Sequence, residues 1–300
     1  MDFVVIDVET ANPKLSSICQ VGIAAFRNGD LADTWHSLIN PEDYFSPVNV
    51  AVHGIDEFMV RNAPTWRGIF SEINTRLQNR IVVSHTPFDR SALAQACDRN
   101  GMAECDYLWL DSARVVRMAW PQFSKSGYGL SNVAAHFAIE YQAHDALEDA
   151  RCAGMIMLRA IAETGLGPEQ WLAQARKRIC REHSLENGLG SFKRDGNPEG
   201  CLFGETLVFT GRLSIPRSEA ANAAAAAGCR VDDGVTKHTT MLVVGDLDVR
   251  TLIAGHEKST KHLKAEKLIS NGQHMRILGE SDFMHIVSQT AVGVVQGSTL

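Results

Sequence analysis

The sequence predicts two successive α/β units, a mixed sheet flanked by helices followed by a small parallel sheet. Three observations carry this. Strand-like apolar runs alternate with helix-period segments up to about residue 165, a Gly/Asn/Pro-rich tract (ENGLGSFKRDGNPEG) interrupts them, and strand–helix alternation resumes at Thr206. A chain of 300 residues, 45% hydrophobic and 21% charged, is long and apolar enough for two cores, which excludes a single small module and global disorder.

The elements follow in order. Phe3-Val4-Val5-Ile6 reads as a buried strand ending in acids. The apolar run Ile18 to Phe26, the turn Asn28-Gly29-Asp30 and Thr34 to Ile39 form a hairpin or meander with it. Trp66, Ile69, Ile73 and Leu77 recur at helical spacing, and Ile81-Val82-Val83 is a short strand. A helix over about 88–100 stops at Gly101, and Leu108-Trp109-Leu110 is a further strand. From His144 to Gly165 runs a long helix, with Asp145 and Glu148 at capping-box spacing and Gly165 as its stop.

The first domain is therefore placed at 1–165. Residues 166–203 are expected to be a partly helical linker, in which Trp171, Leu172, Ala175 and Ile179 mark one amphipathic helix. The second domain, 204–290, reads as strand 206–209, an Ala-rich helix 219–227, strand 241–244, a helix near 264–270, strand 276–278 and a helix through Phe283. The uncharged residues 291–300 are read as a tail.

Composition narrows the function. No run approaches the roughly 18 apolar residues that span a bilayer, and the acidic start MDFVVIDVET is unlike a secretory signal, so no membrane partner is expected. Seven scattered cysteines without a C-x-x-C motif argue for a reducing, cytoplasmic setting. The net charge of −6 divides into −7 for residues 1–165 and +1 for 166–300. A polyanion bound by the first half needs metal ions or a few local cations to offset repulsion.

Three short segments carry the chemistry. Asp7-Val8-Glu9 puts two carboxylates on one face of a strand end, because side chains alternate with period two. His85-Thr86-Pro87-Phe88-Asp89 brings an acid to a helix start, and His144 precedes Asp149 by five residues at another. Each is ordinary alone, since acids favour helix N-termini. Their joint occurrence in this order is not.

FVVIDVET, HTPFD and YGLSNVAAHF…HDALEDA resemble the three motifs of the DEDDh, DnaQ-like 3′→5′ exonucleases, the family of the proofreading epsilon subunit of bacterial DNA polymerase III. The resemblance covers about residues 1–165 and implies an RNase H-like mixed sheet. It implies that Asp7, Glu9, Asp89 and Asp149 hold two Mg²⁺ or Mn²⁺ ions, with Asp7 bridging them, and that His144 is the general base. His53, in His53-Gly54-Ile55, with Thr10 and Phe88, would position the terminal nucleotide. Two hard cations about 3.5–4 Å apart suit phosphodiester hydrolysis, and they prefer carboxylate oxygen to thiolate. HTPFD is one residue shorter than the family's H-N-x-x-F-D, with Thr86 where Asn is common. His85 is therefore read as structural, and only Phe88 and Asp89 as inherited.

Residues 204–286 resemble a BRCT domain of the type found in NAD-dependent DNA ligases. The resemblance implies that Thr210, Gly211, Arg217 and Lys261 converge on a phosphate, either a DNA 5′-phosphate or a phosphoprotein. In the plainer reading Thr210-Gly211 builds a tight turn, and Lys258, Lys261, Lys264 and Lys267 form a solvated face. Phe283 stands where the family has Trp, and Gly228-Cys229 where it has Gly-Gly. Arg176-Lys177-Arg178 with Arg181 either touches nucleic-acid backbone or is a solvated helix surface.

The expected function is a metal-dependent 3′→5′ exonuclease acting on single-stranded or frayed DNA 3′ ends in repair or proofreading. The BRCT unit would bind DNA ends or a partner. The alternatives are an exoribonuclease and a catalytically silent BRCT scaffold.

Overall fold

A computed structural model describes residues 2–103, 106–123, 127–176, 192–246 and 258–292. The chain divides into two compact units, Met1–Lys177 and Arg178–Leu300.

In the first unit, β1 (Asp2–Thr10), β2 (Ile18–Arg27) and β3 (Asp30–Leu38) form an antiparallel meander, while β4 (Ile81–Ser84) and β5 (Leu108–Asp111) run parallel to β1. The sheet order is β3-β2-β1-β4-β5. Asn28 and Gly29 both take positive φ, 54° and 95°, as a tight hairpin with right-twisted strands requires.

Eight helices are described in this unit: α1 (Pro47–His53), α2 (Glu57–Val60), α3 (Trp66–Leu77), α4 (Phe88–Arg99), α5 (Ser112–Ala119), α6 (Leu130–His136), α7 (Ala146–Thr164) and α8 (Pro168–Arg176). β2 is buried from Ile18 to Phe26, which explains an apolar run broken only by Gln20: both faces are covered. α7 lies across β1 and β2. Gly154 permits this, because a Cβ there would stand 2.0 Å from the ring of Phe26, which itself stacks on Phe3 at 5.0 Å.

The long helix starts two residues later than expected. Asp145 is its N-cap, accepting from the backbone N–H groups of Leu147 and Glu148, while the Glu148 carboxylate pairs with Arg151. Gly165 ends it at φ 72°.

In the second unit, β6 (Thr206–Thr210), β7 (Arg230–Asp232), β8 (Met241–Val244) and β9 (Arg276–Gly279) form a wholly parallel sheet in the order β7-β6-β8-β9. Among the described residues its helices are α9 (Arg217–Ala226), α10 (Thr260–Ser270) and α11 (Glu280–Val292). Phe283 is fully buried edge-on to Phe209, so the smaller aromatic still fills the core. Gly228 takes the positive φ of 111°, leaving Cys229 buried with ordinary geometry.

The segment expected as a linker, 166–203, is divided between the two units. α8 buries Trp171 and Leu172 in the first, its Pro168–Arg176 span packing on α5 and β5. In the second, Arg194 bridges to Val231, and Asn197 and Leu202 donate to the carbonyls of Ala225 and Ala227. Ile179, Lys177, Arg178, Arg181 and the expected tail beyond residue 292 lie outside the described residues. Among those described, no helix is long and apolar enough to cross a membrane.

Candidate metal centre

The centre is built where β1 outruns its parallel neighbour. Asp7 and Glu9 share one face of β1, and their antiparallel partners on β2 are Gly22 and Gln20. That face meets the N-terminus of α7. A Cβ on Gly22 would lie 2.2 Å from the carbonyl carbon of Ala146 and the nitrogen of Leu147, so only glycine admits the helix so closely. Beside it, buried Gln20 accepts a hydrogen bond through Oε1 from the Ala146 N–H at 3.1 Å.

The turn entering α7 is folded back on itself. His144 has φ 65°, an uncommon posture for a residue with a side chain, and its N–H donates to Asp149 Oδ2 at 2.9 Å. The ligand atoms of Glu9, His144 and Asp149 thereby lie within 4.8 Å of one another. Asp89 comes from the first turn of α4 and is almost fully buried. The ladder between β1 and β4 ends at Val5, and the Val8 N–H beyond it donates to Asp89 Oδ1 at 3.1 Å. Asp89 is thus seated against the strand segment that carries Asp7 and Glu9.

Tyr141, outside the three motifs, also borders the site, near enough to feel the charges of Asp149 and Asp7. Its hydroxyl lies 2.9 Å from Ser131 Oγ. Burial pushes the phenol up to about 12, and the charges of Asp149 and Asp7 add to the shift against the hydrogen bond from Ser131. It is a neutral hydroxyl beside an acidic cluster. Burial first, then the charges of Asp149 and Glu148, raise the Cys152 thiol to about 12.

The nucleotide residues are distributed less evenly. Thr10 O accepts from Asn49 Nδ2 at 2.9 Å and from His53 Nε2 at 3.2 Å, while His53 Nδ1 accepts from the Ile55 N–H at 3.0 Å. Both ring nitrogens are engaged, and burial lowers the His53 pKa below its ordinary value, so the ring is neutral at pH 7. Phe88 is only 5% exposed and packs in the core, which leaves little ring surface for a base. His85 is buried, with Nδ1 at 2.8 Å from Ser112 Oγ and Nε2 at 2.9 Å from the Tyr128 carbonyl. It ties the second motif to α5 and to the loop before α6.

In the second unit, Lys261 Nζ donates to Phe209 O at 3.0 Å, Arg217 donates to Gly211 O at 2.7 Å, and Thr210 Oγ1 lies 2.7 Å from Ser259 Oγ. The four residues gather at the end of β6. Burial and then the nearby Arg217 charge lower the Lys261 pKa. Lys258 instead pairs with Glu266, away from that cluster's carbonyl contacts.

Sequence reasoning missed Gln20, Gly22, Asn49 and Tyr141. The first two had a signal: an amide and a glycine interrupting an apolar strand mark a place where another backbone comes close.

Clustered carboxylates with one imidazole form a hard-donor set that fits Mg²⁺ or Mn²⁺. A mixed α/β sheet carries this centre at the end of its first strand. Residues 4–157 match the model of the RNase_T family, described as Exonuclease, and the chain belongs to that family. It is 30% identical over 162 residues to a protein named 3′-5′ exonuclease DinG from Staphylococcus haemolyticus (strain JCSC1435), a match covering 53% of this chain and 18% of that one. The same figures hold for the protein of that name from Staphylococcus aureus (strain USA300). The chain thus spans under one fifth of the length of these relatives. The solved structure of E. coli Exonuclease I in complex with a 5cy-dT13 oligonucleotide shares the fold with a TM-score of 0.50 and 14% identity, covering 59% of this chain and 44% of that one.

Proposed function

We propose that the chain is a metal-dependent 3′→5′ exonuclease that removes nucleotides from single-stranded or frayed DNA 3′ ends. The observation that carries this reading is the meeting of Glu9, His144 and Asp149 within 4.8 Å, with Asp89 held against the same strand end.

Asp7, Glu9, Asp89 and Asp149 would hold two Mg²⁺ or Mn²⁺ ions, which when bound supply cover for the charge of the attacking and leaving oxygens. The remaining work falls to the chain's own groups. His144 takes the proton of the attacking water; an imidazole with an ordinary pKa near 6.5 suits this at neutral pH, and such a base contributes about 10²–10⁴ in rate. Asp149 holds the His144 backbone in place. The segment from Thr10 to His53 positions the terminal sugar and base. The strongly acidic first half supplies little attraction of its own for a polyanion, in keeping with a dependence on cations.

The second unit is read as a BRCT domain that binds a DNA 5′-phosphate or a phosphorylated partner. What supports this is the convergence of Thr210, Gly211, Arg217 and Lys261 at the end of β6, where two neighbouring cations favour an anion between them. A role in DNA repair or proofreading and a cytoplasmic setting complete the reading.

The test is electrophoresis of 5′-labelled and 3′-labelled DNA and RNA oligomers incubated with Mn²⁺, with Asp149→Ala as control. A ladder shortening the 5′-labelled DNA from its 3′ end is expected. Preference for RNA would make it an exoribonuclease, and equal inertness of both chains would leave the second unit as a scaffold.

A further inference from the structure

The mechanism above gives no task to Gln20, a buried polar side chain beside the centre. It is 7% exposed and is the polar residue within the buried run Ile18–Phe26 of β2, where an amide is costly unless hydrogen-bonded. Its register places it directly opposite Glu9, on the same face of the sheet. Its Oε1 does not bond within the sheet but crosses to the Ala146 N–H at 3.1 Å.

That donor has a particular status. Ala146 is the first residue of α7, so its N–H has no partner within the helix. The next two N–H groups, of Leu147 and Glu148, are capped by Asp145, and that of Asp149 bonds to the Asp145 carbonyl. Gln20 therefore supplies the tie between the helix start and β2, and Gly22 one pleat away lets the two backbones close to that distance. His144 and Asp149 flank the tied residue on either side. Glu9 stands next to Gln20 on the sheet. The bond spans the gap between the first and third carboxylate motifs.

We infer that Gln20 is a positioning residue of the metal centre: by accepting the Ala146 N–H it sets the distance of His144 and Asp149 from Glu9 and Asp7. The inference rests on the proposed function for its link to catalysis, though not for the bond itself. A residue behind the ligands that orients them changes metal affinity or activity by about 10–100-fold when removed.

The experiment compares the full chain with Gln20→Met, which keeps length and volume but removes the acceptor, and Gln20→Glu, which keeps an acceptor oxygen. Three quantities are read: Mn²⁺ affinity by calorimetry, kcat and KM on single-stranded DNA, and hydrogen exchange of the 144–149 segment. Gln20→Met should weaken Mn²⁺ binding about tenfold or more, lower kcat with little change in KM, and lose exchange protection at Ala146 alone. Gln20→Glu should restore all three to within a few-fold.

Should Gln20→Met fail to fold, Gln20→Asn replaces it, since an amide one methylene shorter falls short of Ala146. Wild-type values in the acceptor-less variant overturn the inference. Equal loss in the Met and Glu variants also overturns it, because the second keeps shape and acceptor oxygen, and the bond would then not be what matters. A wild-type chain that binds Mn²⁺ yet cleaves nothing would fail the nuclease reading, with the affinities still deciding on Gln20; a chain with no Mn²⁺ affinity overturns both.

Discussion

Substituting Asp149→Asn separates what the carboxylate does for the metal from what it does for the fold. Glu9 and Asp149 bring ligand oxygens within 4.8 Å of each other, which in the absence of a cation is a repulsion of about 0.9 kcal/mol at water's permittivity and about 3.5 kcal/mol at an effective value of 20. The amide keeps the shape and an oxygen to accept the His144 N–H, so the hydrogen bond at 2.9 Å survives. Loss of an acid from the first turn of α7 forfeits about 0.3–1 kcal/mol of helix-dipole stabilisation. The balance favours the variant by about 0–3 kcal/mol, and each kcal/mol is worth about 2–4 °C in a unit of this size.

Calorimetric melting at pH 8, where a histidine of ordinary pKa is neutral, reads the effect. In EDTA the variant should melt above wild type. In Mn²⁺ at about 100 times its Kd the wild type should gain about 2.7 kcal/mol, which closes or reverses the gap, while the variant gains much less. If the variant melts lower in EDTA, or if the two chains respond equally to Mn²⁺, Asp149 does not belong to a shared cation site.

Three further expectations concern other parts of the chain. Thr86 is β-branched yet has φ 84°, so Thr86→Asn, which keeps the N–H donated to Asp111, should raise the melting temperature by the equivalent of about 1 kcal/mol; a lower value would show that the posture is unstrained. Gly22→Ala should destabilise the first unit by more than about 2 kcal/mol and abolish nuclease activity, because its Cβ meets Ala146 backbone at 2.2 Å; unchanged denaturant midpoints would mean that α7 moves freely. Burial depresses the pKa of His262, against the pull of Glu266, so the unfolded chain takes up its proton first as pH falls. The associated stability is present above about pH 6.5 and declines below it, and melts of wild type and His262→Gln between pH 5.5 and 7.5 should diverge on the acid side only.

The meander, the parallel strands and the long helix were legible because burial imposes its period directly: β2 is apolar from Ile18 to Phe26 except at Gln20 because both faces are covered, and Asp145 and Gly165 cap α7 with residues suited to those positions. The short helices α1, α2, α5 and α6 were not, since four to eight residues carry too little periodicity. α5 depends instead on Asp111, which caps it from the end of β5 and also receives the Thr86 N–H. The β7 strand escaped for the same reason, with three residues and a single buried side chain. At the site the ligand residues were legible as chemistry, but their scaffold was not. Nothing in a linear pattern says that Gln20 reaches 126 positions along the chain to Ala146.

Thr86 and His144 show how the same constraint acts on different motifs. Both take positive φ, and both sit two residues before a helix whose first turn carries an acid, Asp89 in one case and Asp149 in the other. In each, the backbone reversal is held by a carboxylate accepting a main-chain N–H: Asp111 accepts from Thr86, and Asp149 from His144. The second carboxylate is itself a candidate ligand. A cation drawing on Asp149 therefore acts on an oxygen pair that also fixes the imidazole's backbone, so metal binding and placement of the base are coupled through one side chain. The HTPFD segment shows no such coupling among the described contacts, because Asp111 accepts the Thr86 N–H and caps α5 and is not one of the proposed ligands. On this argument the strain at Thr86 can be relieved without functional loss, whereas the posture of His144 is part of the site.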